Sequence, residues 1–142
     1  MNEAIFKQLK AAASDLIELR YTPKRHVIAS ATMGASGKIY TAVNLDSYLR
    51  RAAICAEAGA IAAAMTAGET GIQAILAMRH NREESDSEPQ LVSPCGICRE
   101  LIADYGIHNA LVFVPSAGKD FSAETISALL PNRYAKQGKS DH

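Results

Sequence analysis

The chain has 142 residues, 48% of them hydrophobic, which is enough for one core and points to no second domain. Lysine plus arginine equals aspartate plus glutamate at 15 each, so no global basic field collects phosphates and a nucleic-acid partner is disfavoured. No apolar run approaches the ~20 residues that span a bilayer, the start lacks the basic-then-apolar layout of a secretory signal, and an odd cysteine count gives no disulfide framework; the expected setting is cytoplasmic, with no membrane partner.

From Asn2 to Leu19, residues Ile5, Leu9, Ala12, Leu16 and Leu19 recur at alternating steps of four and three, one stripe of an amphipathic helix that Pro23 prevents from continuing. Val27 to Met33 and Lys38 to Val43 read as a hairpin turned through Gly34-Ala35-Ser36-Gly37, where glycine permits positive φ. After a loop from Asn44 to Arg51, the alanine-dominated run Ala52 to Ala67 predicts a helix that stops at Gly68. Ile72 to Met78 has strand length, and His80 to Gln90 is a polar, acid-rich loop. Pro94 precedes a helix predicted from about Cys95 to Tyr105. Ala110 to Pro115 is an apolar strand, Gly118 turns it, and Ser122 is expected to cap a last helix ended by Pro131. This order predicts a mixed sheet with helices on both faces, an α/β class three-layer α/β/α sandwich over residues 1–134, with a tail at 135–142.

Every cysteine lies in one of two motifs, Cys55-Ala56-Glu57 and Pro94-Cys95-Gly96-Ile97-Cys98, with 39 residues between Cys55 and Cys95. Structural zinc takes four protein ligands, whereas catalytic zinc takes three and keeps one position for water or substrate. Cys55, Cys95 and Cys98 supply three. Counting alone leaves a fourth from His26, His80, His108 or His142 open, although none has H-x-x-x-H spacing. Both motifs open predicted helices, whose unpaired N–H groups favour thiolates. Glu57, two places after a ligand, is placed to overhang the metal without binding it. A hydrolytic deaminase needs such a carboxylate to carry a proton from an acidified water to the substrate ring and the departing amine. The pattern is the all-cysteine form of the zinc-deaminase arrangement. Its rivals are a zinc-stabilised structural module, inert buried thiols, or a redox C-x-x-C pair, and the last two require both motifs to coincide by chance.

With Tyr21-x-Pro23, Gly37-Lys38-Ile39-Tyr40, Val43-Asn44-Leu45-Asp46, Ser93 before Pro94, and Leu129-Leu130-Pro131-x-x-Tyr134, these motifs make the chain resemble the zinc-dependent cytidine deaminase family from about Tyr21 to Tyr134. A second likeness is to blasticidin-S deaminase, in the same superfamily. The resemblance implies a mixed five-stranded sheet, one strand more than the four apolar runs above supply. It implies Zn²⁺ on Cys55, Cys95 and Cys98, with Glu57 as the proton shuttle. It also places the Ala56 N–H and the Ser93 carbonyl on the pyrimidine edge, and Asn44 on the ribose. Asp46 stands where the family has a glutamate, and His26 where it has an aromatic ring against the base. Ala58 stands where three-cysteine members often carry an arginine that offsets thiolate charge; blasticidin-S deaminase also lacks it. The helix N-termini and Arg99 are then the available compensation, and Arg50 and Arg51 are candidates to reach a phosphate or carboxylate on a larger substrate.

The implied substrate is a small-molecule nucleoside, cytidine or deoxycytidine first and a modified or antibiotic cytosine nucleoside such as blasticidin S next, in pyrimidine salvage. The implied assembly is a homotetramer, or a homodimer, whose sites borrow loops from neighbours, with Tyr134 a candidate borrowed residue. A base within RNA or DNA would need a groove and basic contacts, which the even charge balance disfavours.

Overall fold

In the computed structural model, which describes residues 2–81 and 88–134, alternation along a central strand sets the layers. The acid-rich loop lies partly, and the 135–142 tail wholly, outside the described residues. In β3, Ile72–Arg79, the side chains of Ala74, Leu76 and Met78 enter one buried cluster and those of Ile72 and Ile75 the other. The first cluster is covered by α1, Asn2–Arg20, through Phe6, Leu9, Ala13 and Ile17. The second is covered by α2, Ala56–Thr66, through Ile61 and Ala64, by α3, Gly96–Tyr105, through Ile102, and by α4, Ile126–Leu129, through Ile126. The α/β/α sandwich is thus borne out. The buried stripe of α1 is rotated from the predicted one: Ile5, Ala12 and Leu16 flank it, and Leu19 is 70% exposed.

The remaining strands are β1, Ile28–Gly34; β2, Ile39–Val43; β4, Gln90–Val92; β5, Gly106–Ser116; and β6, Lys119–Thr125. The main path runs β2-β1-β3-β5-β6, with only β3 and β5 parallel among these pairs. Five strands therefore form the path, as the resemblance implied. The short β4 is a sixth, antiparallel to Ala77–Arg79 on the part of β3 beyond the Ile72–Ile75 stretch that pairs with β5.

Besides the short β4, the strand that the sequence pattern does not predict is β6. Ser122 lies within it, paired with Val114, and caps no helix. Phe121 and Ala123 alternate into the α1 face, where Phe6 stacks on Phe121 at 4.0 Å between ring centroids. Gly118, at φ 75°, turns β5 back into this strand. The real cap is Thr125, whose hydroxyl accepts from the Ala128 N–H at 3.3 Å. The predicted Ala52 helix start is also corrected. Arg50–Ala52 forms a 3₁₀ turn, Leu45 and Ile54 make an isolated bridge, and the helix begins only after Cys55.

The α2 side of β1 carries Ser30 and Thr32, both fully buried. Their hydroxyls donate to the carbonyls of Leu76 and Ala74 at 2.8 Å each, so neither is unsatisfied. On β2 a methyl group on Gly59 would come within 2.8 Å of the Ala42 side chain, so the start of α2 lies tight against the sheet. This packing fixes where Cys55 and Glu57 sit.

Candidate active site

Cys55 and Cys95 are the N-cap residues of α2 and α3, both with extended backbones, at φ −70° and ψ 151° and at φ −73° and ψ 173°. Glu57 lies in the first turn of α2, and Cys98 in the first turn of α3. Two helix starts separated by 39 residues of sequence are thereby brought together at the end of the sheet where β1 begins and β2 and β4 end. The Cys55 and Cys95 sulfurs are 3.6 Å apart, and all three sulfurs lie within 4.8 Å of one another. Cys98 Sγ lies 3.8 Å from Glu57 Oε1.

Burial differs across the cluster: Cys95 is exposed, Cys55 half-buried, Cys98 fully buried, and Glu57 6% exposed. Burial pushes the Cys98 thiol far above its ordinary range, helped by the negative charge of Glu57 and by the neighbouring thiols. Burial also raises Cys55. At Cys95 burial acts in the same direction but is outweighed by the peptide N–H of Cys98, the Cys55 and Cys98 thiols and the peptide N–H of Ile97, so this thiol is held below its usual value. Burial lifts Glu57 above the usual carboxylate range, against the opposing pull of its own N–H and of Cys98.

Three thiols this close, two of them resisting ionisation, fit a site completed by a dication. A tetrahedral zinc with Zn–S bonds of ~2.3 Å places its sulfurs about 3.8 Å apart, close to the observed spacing. Among the described residues the metal-ligating group contains these thiols alone, so no described histidine completes it. His26 Nδ1 lies 2.8 Å from the Asn44 carbonyl, and the His80 ring stacks on Tyr21 at 3.7 Å. His142 lies outside the described residues. Among the described residues, then, no closed four-ligand structural site is built.

A cavity of about 250 Å³ opens against the cluster. It gathers Asn44, Asp46, Cys55, Ala56, Glu57, Ser93 and Cys95, seven of the residues singled out from sequence, between apolar walls from Ile28, Leu45, Ile54 and Val92. Cys98 lies behind Glu57. Two more predicted residues lie off this lining with Cys98: His26, which sits behind Asn44, and Tyr134, which is 86% exposed. The Asn44 amide oxygen accepts from the N–H groups of Val27 at 2.7 Å and Ile28 at 3.0 Å, which leaves its NH₂ to face a ligand. Asp46 accepts from the Ser47 N–H at 2.8 Å and lies 3.8 Å from Arg50.

Two supports had no local signal. The Leu45 and Ile54 backbones exchange hydrogen bonds of 2.9 Å, fastening the residue before Cys55 to the chain beyond β2. Arg99 donates to the carbonyls of Pro94 at 3.0 Å and Leu129 at 2.9 Å, clamping the approach to Cys95 against α4. Its guanidinium brings positive charge near the cluster while binding carbonyls instead of thiolates.

The family described as the cytidine and deoxycytidylate deaminase zinc-binding region matches residues 4–114. The chain belongs to this family. This deaminase is 35% identical over 130 residues to blasticidin-S deaminase of Bacillus cereus, covering 91% of each chain. It is 27% identical over 135 residues to cytidine deaminase of Sporosarcina psychrophila, covering 94% of each. Its fold matches the crystal structure of the cytidine deaminase from Bacillus anthracis with a TM-score of 0.77 at 29% identity, over 92% of this chain and 89% of that one. The protein is a zinc-dependent hydrolytic deaminase. Among the described residues, no helix of this deaminase is long and apolar enough to cross a membrane.

Proposed function

We propose that the chain hydrolyses the exocyclic amine of a free cytosine-type nucleoside, cytidine or deoxycytidine first, releasing ammonia. The observation that carries this is the placement of a buried carboxylate, Glu57, on the wall of a nucleoside-sized cavity against three converging thiols. Cys55, Cys95 and Cys98 would hold zinc, which when bound acidifies the water that replaces the amine. Glu57 accepts a proton and passes it to the ring nitrogen and the departing amine, and burial suits it to holding that proton. The Ala56 N–H and the Ser93 carbonyl, both on the cavity lining, orient the ring edge. The Asn44 NH₂ donates to the sugar, and Asp46 accepts from it. His26 holds the Asn44 carbonyl, which makes it a positioning residue in this reading.

Assembly as a homotetramer, or a homodimer, completes the site in this reading. Leu45, Tyr48, Leu49 and Ile54 are exposed beside or near the cavity, and Tyr134 is free to enter a neighbour's site. The setting is cytoplasmic pyrimidine salvage. A second reading, a substituted or antibiotic cytosine nucleoside, is favoured by the 35% identity to blasticidin-S deaminase and by Ala58 and Asp46.

Ammonia release from cytidine, deoxycytidine, cytosine, blasticidin S and substituted cytidines tests both readings. Turnover of the simple nucleosides supports the first, and exclusive turnover of a substituted one supports the second. No turnover of any of them by enzyme with one zinc per chain would overturn both.

A further inference from the structure

Every polar group of Asn44 is held by the protein except the side-chain NH₂ left for a ligand. Its Oδ1 accepts from the N–H groups of Val27 and Ile28, its carbonyl accepts from His26 Nδ1 at 2.8 Å, and its own N–H donates to the Ile28 carbonyl at 3.0 Å. The direction of that NH₂ is therefore set by residues 26–28. What sets those residues lies on their other side.

The ladder between β1 and β3 pairs Ile28 with Arg79, and one further bond continues it: the His80 N–H donates to the Val27 carbonyl at 2.8 Å. Val27 is thus gripped twice, through its N–H by Asn44 and through its carbonyl by His80. The second grip lies beyond the last residue of β3, where a ladder frays unless the chain is held. The His80 ring supplies the hold. It stacks on Tyr21 with centroids 3.7 Å apart and planes 10° from parallel, and its buried Nδ1 has no hydrogen-bond partner among the described residues, so the stack and not that nitrogen fixes it.

Tyr21 is itself fastened. Its N–H donates to the Ile17 carbonyl in α1 at 2.8 Å, and the turn from Thr22 to His26 that follows is closed by backbone bonds of 3.0, 3.0 and 2.9 Å. The stacked pair thereby pins the segment between α1 and β1 across the end of β3. Neither ring lines the Glu57 cavity, so substrate contact does not account for either.

We propose that Tyr21 and His80 are positioning residues for the deamination: the stack sets Val27, Val27 sets the Asn44 amide, and the amide meets the sugar. This rests on the cytosine-nucleoside reading above, in which Asn44 contacts the sugar.

Breaking the stack should weaken substrate binding and spare the chemistry. His80→Ala is expected to raise KM for cytidine about two- to tenfold, the range one aromatic pair contributes, with kcat within about twofold and one zinc per chain. His80→Phe keeps a ring against Tyr21 and should return KM to within about twofold of the parent. The double variant Asn44→Asp/His80→Ala should show the KM of Asn44→Asp alone within about twofold, because both changes act on one contact; a merely structural loss would add to it in full. An unchanged KM in His80→Ala, no recovery in His80→Phe, or a full further rise in the double variant overturns the assignment.

Amide hydrogen exchange at Val27 and Ile28 reads the joint with no substrate present. Both should exchange at least about threefold faster in His80→Ala and at the parent rate in His80→Phe. Tyr21→Leu should behave as His80→Ala does, and it carries the measurement if that variant does not fold. Unchanged exchange in both sinks the positioning role alone. If no cytosine nucleoside is deaminated and the exchange pattern still holds, the function reading fails and the joint at Asn44 stands.

Discussion

Glu57 and Cys98 meet inside the protein: the carboxylate Oε1 lies 3.8 Å from the Cys98 sulfur, with the acid 6% exposed and the thiol fully buried. The acid is thus set beside the cluster while one edge of it reaches the cavity. Glu57→Gln keeps the shape and removes the ionisation. A proton shuttle contributes typically ~10²–10⁴-fold, so kcat should fall by about that much. Zinc should remain at one per chain by elemental analysis. Near-normal turnover in the variant would end the proton-shuttle role.

Removing the metal should loosen the whole fold, because the cluster joins the starts of α2 and α3. A ligand that binds only the folded chain stabilises it by about 4 kcal/mol when its free concentration is ~1,000 times Kd. Chelation should therefore lower Tm by several degrees, and zinc should restore it. Cys98→Ser should lose zinc outright and show no chelator effect. An unchanged Tm on removal of bound zinc would mean that the cluster does not tie the helices.

The cysteine motifs were legible because ligand spacing at a helix start is a local property: Cys55 and Glu57, or Cys95 and Cys98, are positioned by one turn of backbone. The layers were legible for a related reason, since period and turn residues are local too. What escaped was non-local or short. Ser122 has a helix-cap composition, but its hydroxyl bonds Glu124 within β6, and only pairing with β5 decides for a strand. The three-residue β4 is too short for a period to register. The Leu45–Ile54 bridge and the Arg99 clamp join segments whose proximity only the folded chain creates. The hydrogen bond between His26 and the Asn44 carbonyl likewise depends on the hairpin returning to the same end of the sheet.

Asn44 combines two jobs that substitution can separate. Its Oδ1 satisfies the Val27 and Ile28 N–H groups, and its NH₂ is assigned to the sugar. Asn44→Ala removes the acceptor and leaves these donors unpaired, a loss of about 1–3 kcal/mol in chemical denaturation. Asn44→Asp retains the acceptor and removes the donor. It should unfold close to the parent while KM rises about tenfold or more, since a hydrogen bond to the substrate is lost. If both variants lose stability equally and neither changes KM beyond that, the sugar contact is elsewhere.

Glu69 supplies a pH test far from the thiols. Its carboxylate accepts from the Ser36 hydroxyl at 2.5 Å, the Ser36 N–H at 3.0 Å and the Tyr40 hydroxyl at 2.7 Å, fastening the β1–β2 hairpin to the chain entering β3. A Cβ on Gly34 would come within 2.2 Å of the carboxyl carbon, so a larger residue there has to displace the Glu69 side chain from this joint. The Ser36 hydroxyl above all, then its N–H and the Tyr40 hydroxyl, hold Glu69 below the usual carboxylate range. The unfolded chain therefore takes up a proton first as pH falls. The contribution of Glu69 is complete above the ordinary value near ~4.3 and is lost as pH drops through the lower folded value. Tyr40 has the opposite sign. Its bond to Glu69, with burial and the carboxylate charge, raises the phenol, so its contribution is complete below ~10 and is lost as pH rises through the higher folded value. Glu69→Gln should accordingly lower Tm near neutrality, and the gap from the parent should close as pH falls below ~4. A gap of the same size at pH ~7 and pH ~3 would show that the carboxylate's charge contributes nothing to this joint.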